Sequence, residues 1–172
     1  MSVHNVIIFS FTAPHNRASG GTTRIAFFAT VKTTIEHTTA YQTIVFEDVK
    51  TNFGNGYNAT SGIFTAPTDG VYVFSTTILT CPGCVASVGL IKNSHSVSGL
   101  YAEGATDKRP TTAETILLEL TRGDQMSVKI AEAKDQVVGN HYTTFAGFLL
   151  WETAPQTDQP FTSAPQQAMV GK

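Results

Sequence analysis

The sharpest chemical spacing in the chain is Cys81-Pro82-Gly83-Cys84, which holds both of its cysteines. A Pro-Gly centre prescribes a type II turn, whose first and fourth Cα atoms lie within about 7 Å. A disulfide spans Cα atoms roughly 4.4 to 6.8 Å apart. Three states therefore fit these residues: a local disulfide, two free thiols on a loop, or a bond between chains. Thiol-disulfide catalysis does not fit. Reactive Cys-x-x-Cys pairs sit at a helix N-terminus that lowers the thiol pKa, whereas strand-like sequence flanks this pair on both sides. A structural zinc site needs four ligands, and there is no second pair of cysteines to complete one.

Other reactive types are scattered. His4, His15, His37, His95 and His141 show no spacing that would put two ligands on one face of a strand or helix. The sequence has no Gly-x-Ser-x-Gly elbow and no phosphate-cradling loop. We therefore expect no enzymatic activity. The most charged segment, Glu103 to Thr112, carries Asp107, Lys108 and Arg109 just before Pro110. Loops of this kind supply polar ligand contacts on a rigid scaffold, or simply solvate the surface. Asn58-Ala59-Thr60 is an N-glycosylation triplet, although the same residues suit a turn.

Nearly every periodic segment around these residues reads as strand. The runs are Arg24 to Val31, Thr43 to Val49, Gly62 to Ala66, Gly70 to Thr80, Val85 to Lys92, Ser96 to Ala102, Ala113 to Thr121, Gln125 to Ala131 and Tyr142 to Trp151. Val, Ile, Phe, Tyr and Thr dominate them, and Asn-Gly, Asp-Gly, Pro-Gly and Gly-Asp turn signals separate several of them. Many short strands and no helical stripe point to a sandwich or barrel. In Gln125 to Ala131, Met126, Val128 and Ile130 alternate with Ser127, Lys129 and Ala131, which predicts one wet face. Two other segments are apolar on both faces. Phe27 and Phe28 point to opposite sides, and Phe145, Leu149 and Trp151 oppose Ala146, Phe148 and Leu150. Such strands need a second cover, either a neighbouring subunit or a long loop of the same chain.

Composition narrows the partners. Charged residues make up 14% of the chain against 41% hydrophobic, with a formal charge of -2 and a pI near 6.2. With no basic patch, nucleic acid is not an expected partner, and no apolar run is long enough to span a membrane. Val6-Ile7-Ile8-Phe9-Ser10-Phe11 lacks the basic n-region and length of a secretory signal, so residues 1–22 are expected to form an N-terminal arm or edge strand. Residues 23–152 are expected to form the domain. The Pro-, Gln-, Thr- and Ala-rich residues 153–172 are expected to be a flexible tail.

One ordered set of residues carries more information than these patterns. Phe46, Asn52, Tyr57, Phe64, Gly70, Tyr72 and Phe74 stand in the order and spacing of the complement C1q globular-head signature. Tyr57-Asn58-Ala59-Thr60-Ser61-Gly62-Ile63-Phe64-Thr65-Ala66-Pro67 resembles its most recognisable segment. Leu120 to Gln125 is similar to its penultimate hairpin, and Thr143 to Leu150 to its closing strand. Thr76 departs from the pattern where an aromatic is usual. The resemblance runs from Arg24 to Trp151. Physically, Asn52, Gly54, Asn55 and Gly56 offer a turn tolerant of positive φ, and the aromatics read as core.

The resemblance implies an all-β, ten-stranded jelly-roll β-sandwich related to tumour necrosis factor and assembled as a homotrimer. Without a Gly-X-Y repeat, it resembles the stemless, secreted members of the family known from bivalve molluscs. These imply an extracellular, lectin-like role in innate immunity, with binding of microbial glycans or polysaccharides. Tyr101 and Tyr142 would then be aromatic platforms beside Asp107, Lys108 and Arg109. The family also contains cytokine-like or organiser-like receptor ligands and structural or metal-carrying trimers. Some relatives hold Ca²⁺ with loop oxygens near the trimer apex. The matching loop here, Glu132 to His141, offers Glu132, Asp135 and Asn140, a thin set unless three subunits share it.

Overall fold

The computed structural model describes residues 24–132 and 136–153. The expected N-terminal arm, the tail beyond Thr153 and the candidate ligand Asp135 lie outside the described residues.

Among the described residues ten strands follow in order: β1 (Ala26–Thr30), β2 (Asp48–Phe53), β3 (Tyr57–Asn58), β4 (Ile63–Thr65), β5 (Gly70–Leu79), β6 (Val85–Lys92), β7 (His95–Glu103), β8 (Thr111–Leu120), β9 (Gln125–Ile130) and β10 (Thr144–Glu152). They pair antiparallel into two five-stranded sheets, β2-β1-β10-β5-β8 and β3-β4-β9-β6-β7. This is the expected all-β jelly-roll sandwich. No helix among the described residues is long and apolar enough to cross a membrane.

The core lies between the sheets and is built from the alternate residues that face inward. Phe27 is its hub. Its ring stacks on Tyr57 at 4.8 Å and on Phe64 at 5.1 Å, and meets Phe145 edge-on at 5.0 Å. Phe46, Tyr72 and Phe74 complete the aromatic layer, all fully buried. Thr76, the departure from the family pattern, is also fully buried and donates its hydroxyl proton to the Thr144 carbonyl at 2.9 Å, which offsets the cost of hiding it.

Three sequence expectations need correction. The expected strand Thr43 to Val49 is largely absent, since β2 begins only at Asp48. Ile44 and Phe46 do point inward, but ahead of Asp48 only an isolated bridge, Thr43 with Lys129, joins the segment to a sheet. Alternation there reports burial and not a ladder. Ser127, assigned to a wet face, is buried, because on that face it lies in register between Ile63 and Ile91. Trp151 lies on the opposite face from Leu149. A bulge at Leu150 shifts the register so that Trp151 pairs with Val71 and faces outward beside Phe148.

Candidate functional site

The outer face of the first sheet carries an apolar row at right angles to its strands. Register places Phe53, Ala26, Phe148, Val73 and Leu117 side by side, one from each of β2, β1, β10, β5 and β8. Phe28 stands in the next row and Trp151 in the one on the other side. In the single chain Phe53 is 63% exposed, Leu117 57%, Trp151 53% and Phe148 43%. Five strands therefore present one continuous apolar band to solvent, which is larger than scattered surface residues account for. This is the second face of the doubly apolar strands, and no loop among the described residues buries it.

The loops at one end of the sandwich form a second surface. The structure joins Cys81 and Cys84 by a disulfide with Cα atoms 5.1 Å apart. The turn between them closes through the Cys84 amide, which donates to the Cys81 carbonyl at 3.1 Å, with Gly83 at φ 70°. Gly83 then donates to the Ala105 carbonyl at 3.0 Å, and Gly104 to the Cys84 carbonyl at 2.8 Å. The disulfide turn thus clamps the root of the β7–β8 loop. Above that root a tight turn, in which the Lys108 amide donates to the Ala105 carbonyl, leaves Asp107, Lys108 and Arg109 exposed.

Tyr101 is exposed on β7, its hydroxyl donating to the Glu103 carboxylate at 3.1 Å. Tyr142 is exposed ahead of β10, next to Asn140 and His141, both of which adopt positive φ. Tyr101 therefore lies on the second sheet, and Tyr142 in the segment that leads into β10 of the first. With residues 107–109 they come from β7, the β7–β8 loop and the segment ahead of β10. Glu132 and Asn140 are exposed in the loop leading to β10. Among the described residues no group of three or more His, Cys, Asp and Glu side chains is placed to hold a metal ion. Asn58 is exposed on the edge strand β3.

Sequence reasoning missed one polar cluster at this end. His141 Nδ1 lies 3.0 Å from the Asp48 carboxylate and 2.9 Å from the Thr30 hydroxyl, and Lys50 pairs with the same carboxylate at 2.8 Å. The Lys50 hydrogen bond, helped by the charge of Lys50 and by the neighbouring His141 and Lys32 side chains, outweighs desolvation and holds the Asp48 carboxyl below its ordinary pKa. No local spacing signals this cluster, because its members come from three separate segments.

Comparison with known proteins bears on the family and the fold. The family description "C1q domain" matches residues 26–150. The mouse protein named complement C1q tumor necrosis factor-related protein 3 is 30% identical over 131 residues, covering 76% of this chain and 52% of its own length. The chain therefore spans about half of that curated relative. Among solved structures, the globular domain of zebrafish complement 1qA superposes with a TM-score of 0.64 at 19% identity, over 75% of this chain and 99% of that one. Murine APRIL, crystallised at pH 5.0, superposes with a TM-score of 0.60 at 14% identity, over 74% and 99%. At these identities the two structures attest the fold.

Proposed function

This chain belongs to the C1q domain family, and from that premise we propose that it acts outside the cell as a homotrimeric recognition protein, binding microbial or other glycan surfaces through the loop ends of its three heads. The observation that carries the proposal is the apolar row Phe53, Ala26, Phe148, Val73 and Leu117. A closed threefold arrangement buries such a row from each subunit around one axis. It also points three copies of the loop end the same way. Each head then needs only weak contacts, because linkage multiplies them.

Tyr101 and Tyr142 offer exposed rings for stacking on sugar faces, and Asp107, Lys108 and Arg109 offer charged hydrogen-bonding groups for hydroxyls or acidic substituents. Recognition of this kind involves no catalytic step, and the chain's two cysteines are tied up in a turn between strands. Within one described chain Glu132 and Asn140 do not make a coordination shell for calcium, so that ion enters only through donors shared across subunits.

A second reading, a receptor ligand of the cytokine type, draws on the tumour necrosis factor relationship in the mouse relative's name. It uses the same trimer with a protein partner in place of a sugar. A glycan array run with and without Ca²⁺ separates the two. The lectin reading expects selective capture of microbial polysaccharides or defined glycans; binding to no sugar under either condition sinks it. Sedimentation at micromolar concentration tests the assembly. Three chains of 18.4 kDa moving together are expected, and a clean monomer overturns the role given to the apolar row.

A further inference from the structure

Asn58-Ala59-Thr60 is the one Asn-x-Ser/Thr triplet in the 172 residues. Its placement meets the requirements of a modified residue at each step. Asn58 ends β3, the edge strand of the second sheet, whose one paired neighbour among the described residues is β4. Tyr57 turns its ring into the core, so strand alternation turns Asn58 outward, where it is exposed together with Thr60. The Asn58 Oδ1 accepts from the Thr60 amide at 2.8 Å and from the Ser61 amide at 3.2 Å. Both bonds hold the oxygen of the planar carboxamide against the turn. The nitrogen on its opposite side, Nδ2, therefore faces solvent with no hydrogen-bond partner among the described residues.

We propose that Asn58 is a glycan acceptor, carrying an N-linked oligosaccharide on Nδ2; this rests on the extracellular reading above. In the transfer, Nδ2 attacks C1 of the sugar of a lipid-linked oligosaccharide. The N–C1 bond forms as the C1–O bond to the lipid pyrophosphate breaks, the lipid pyrophosphate leaves, and one Nδ2 proton passes to a base of the transferase. No oxidation or reduction is involved.

The position also suits the assembly. The apolar row lies on the first sheet and Asn58 on the edge of the second, so the sugar is attached to a different sheet from that row. At the same time it shields the open edge of β3, where another strand would otherwise add.

The test uses the full chain behind an appended cleavable secretion leader in a eukaryotic host. The expected result is a secreted protein whose Asn58 peptide carries sugar, with a mobility shift that peptide N-glycosidase removes, leaving Asp at position 58. Asn58→Asp and Thr60→Ala each abolish the shift, and Thr60→Ser retains it. Asn58→Asp keeps the Oδ1 acceptor and hence the turn, so its secretion separates lost acceptor chemistry from lost folding. A secreted wild-type chain with a bare Asn58 overturns the inference. Because the leader forces entry into the pathway, a bare Asn58 leaves the extracellular reading untouched. That reading fails separately, if cells of the source organism retain the protein inside.

Discussion

The buried hydroxyl of Tyr57 accepts a hydrogen bond from the Phe46 amide at 3.1 Å and donates one to the Phe46 carbonyl at 3.2 Å. One side chain thus satisfies both polar groups of a residue whose main chain has no strand partner at that position. Tyr57→Phe keeps the ring against Phe27 and removes both bonds. Leaving a buried amide and carbonyl unpaired costs about 2 to 3 kcal/mol. Urea unfolding of the variant is expected to show a lower midpoint with an unchanged slope; an unchanged midpoint refutes the role of the hydroxyl.

The same residue sets an alkaline limit. Burial, opposed by the hydrogen bond to Phe46 and aided by the nearby Glu47 charge, pushes the Tyr57 pKa up to about 12. Its pKa is higher folded than unfolded, so between about 10 and 12 the folded state binds more protons, and stability falls as pH rises through that window. The wild-type chain is expected to lose stability there faster than Tyr57→Phe. Parallel slopes for the two proteins would show that another group controls the alkaline transition.

Asp124 behaves in the opposite sense. Burial alone would raise its pKa, but hydrogen bonds from Asn93, the Thr121 amide and Lys92 outweigh it and bring the value down to about 2. A carboxyl depressed in the fold stabilises above its unfolded pKa, and that contribution disappears as pH falls toward 2. Asp124→Asn is expected to destabilise the protein at pH 7 and to converge with the wild type near pH 2. Thermal melts at the two pH values read this directly, and an equal gap at both contradicts it.

Two glycines separate backbone strain from steric clash. Gly83 has φ 70°, and a Cβ at that position would meet nothing within 4 Å. Gly83→Ala therefore carries only the conformational cost, about 1 to 2 kcal/mol. Gly62 has φ 73°, and a Cβ there would stand 2.5 Å from the Ile44 carbonyl oxygen. Gly62→Ala is expected to cost distinctly more than Gly83→Ala in chemical denaturation. Equal losses would mean that the Ile44 segment yields freely.

The apolar row is testable without disturbing the core. Leu117 and Phe148 are exposed in the single chain, so Leu117→Lys or Phe148→Lys leaves the monomer folded while placing a charge in the shared face. A loss of about 2 kcal/mol or more per contact, roughly 30-fold in association, follows for residues central to an interface. Sedimentation should show monomers with wild-type circular dichroism. Variants that remain trimeric would move the interface elsewhere.

Much of this fold is legible in the chain. The inward positions of Phe27, Phe46, Tyr57, Phe64, Tyr72, Phe74 and Phe145 follow from period-two alternation and the family spacing, because burial on a pleated strand is a local pattern. What Asn52 and Tyr57 do is not legible. The Asn52 side chain bonds both main-chain groups of Tyr57, and the Tyr57 hydroxyl both of Phe46. These side chains replace ladder bonds, which is why the Thr43 to Val49 alternation reads as a strand that does not form. The bulge at Leu150 is equally silent in sequence, and it alone turns Trp151 onto the outer face. The pairing of His141 with Asp48 and the alignment of Phe53, Phe148 and Leu117 in one row depend on register between strands far apart in the chain. Local residue types dictate which way a side chain points; which distant side chains it meets is decided only when the sheets pair.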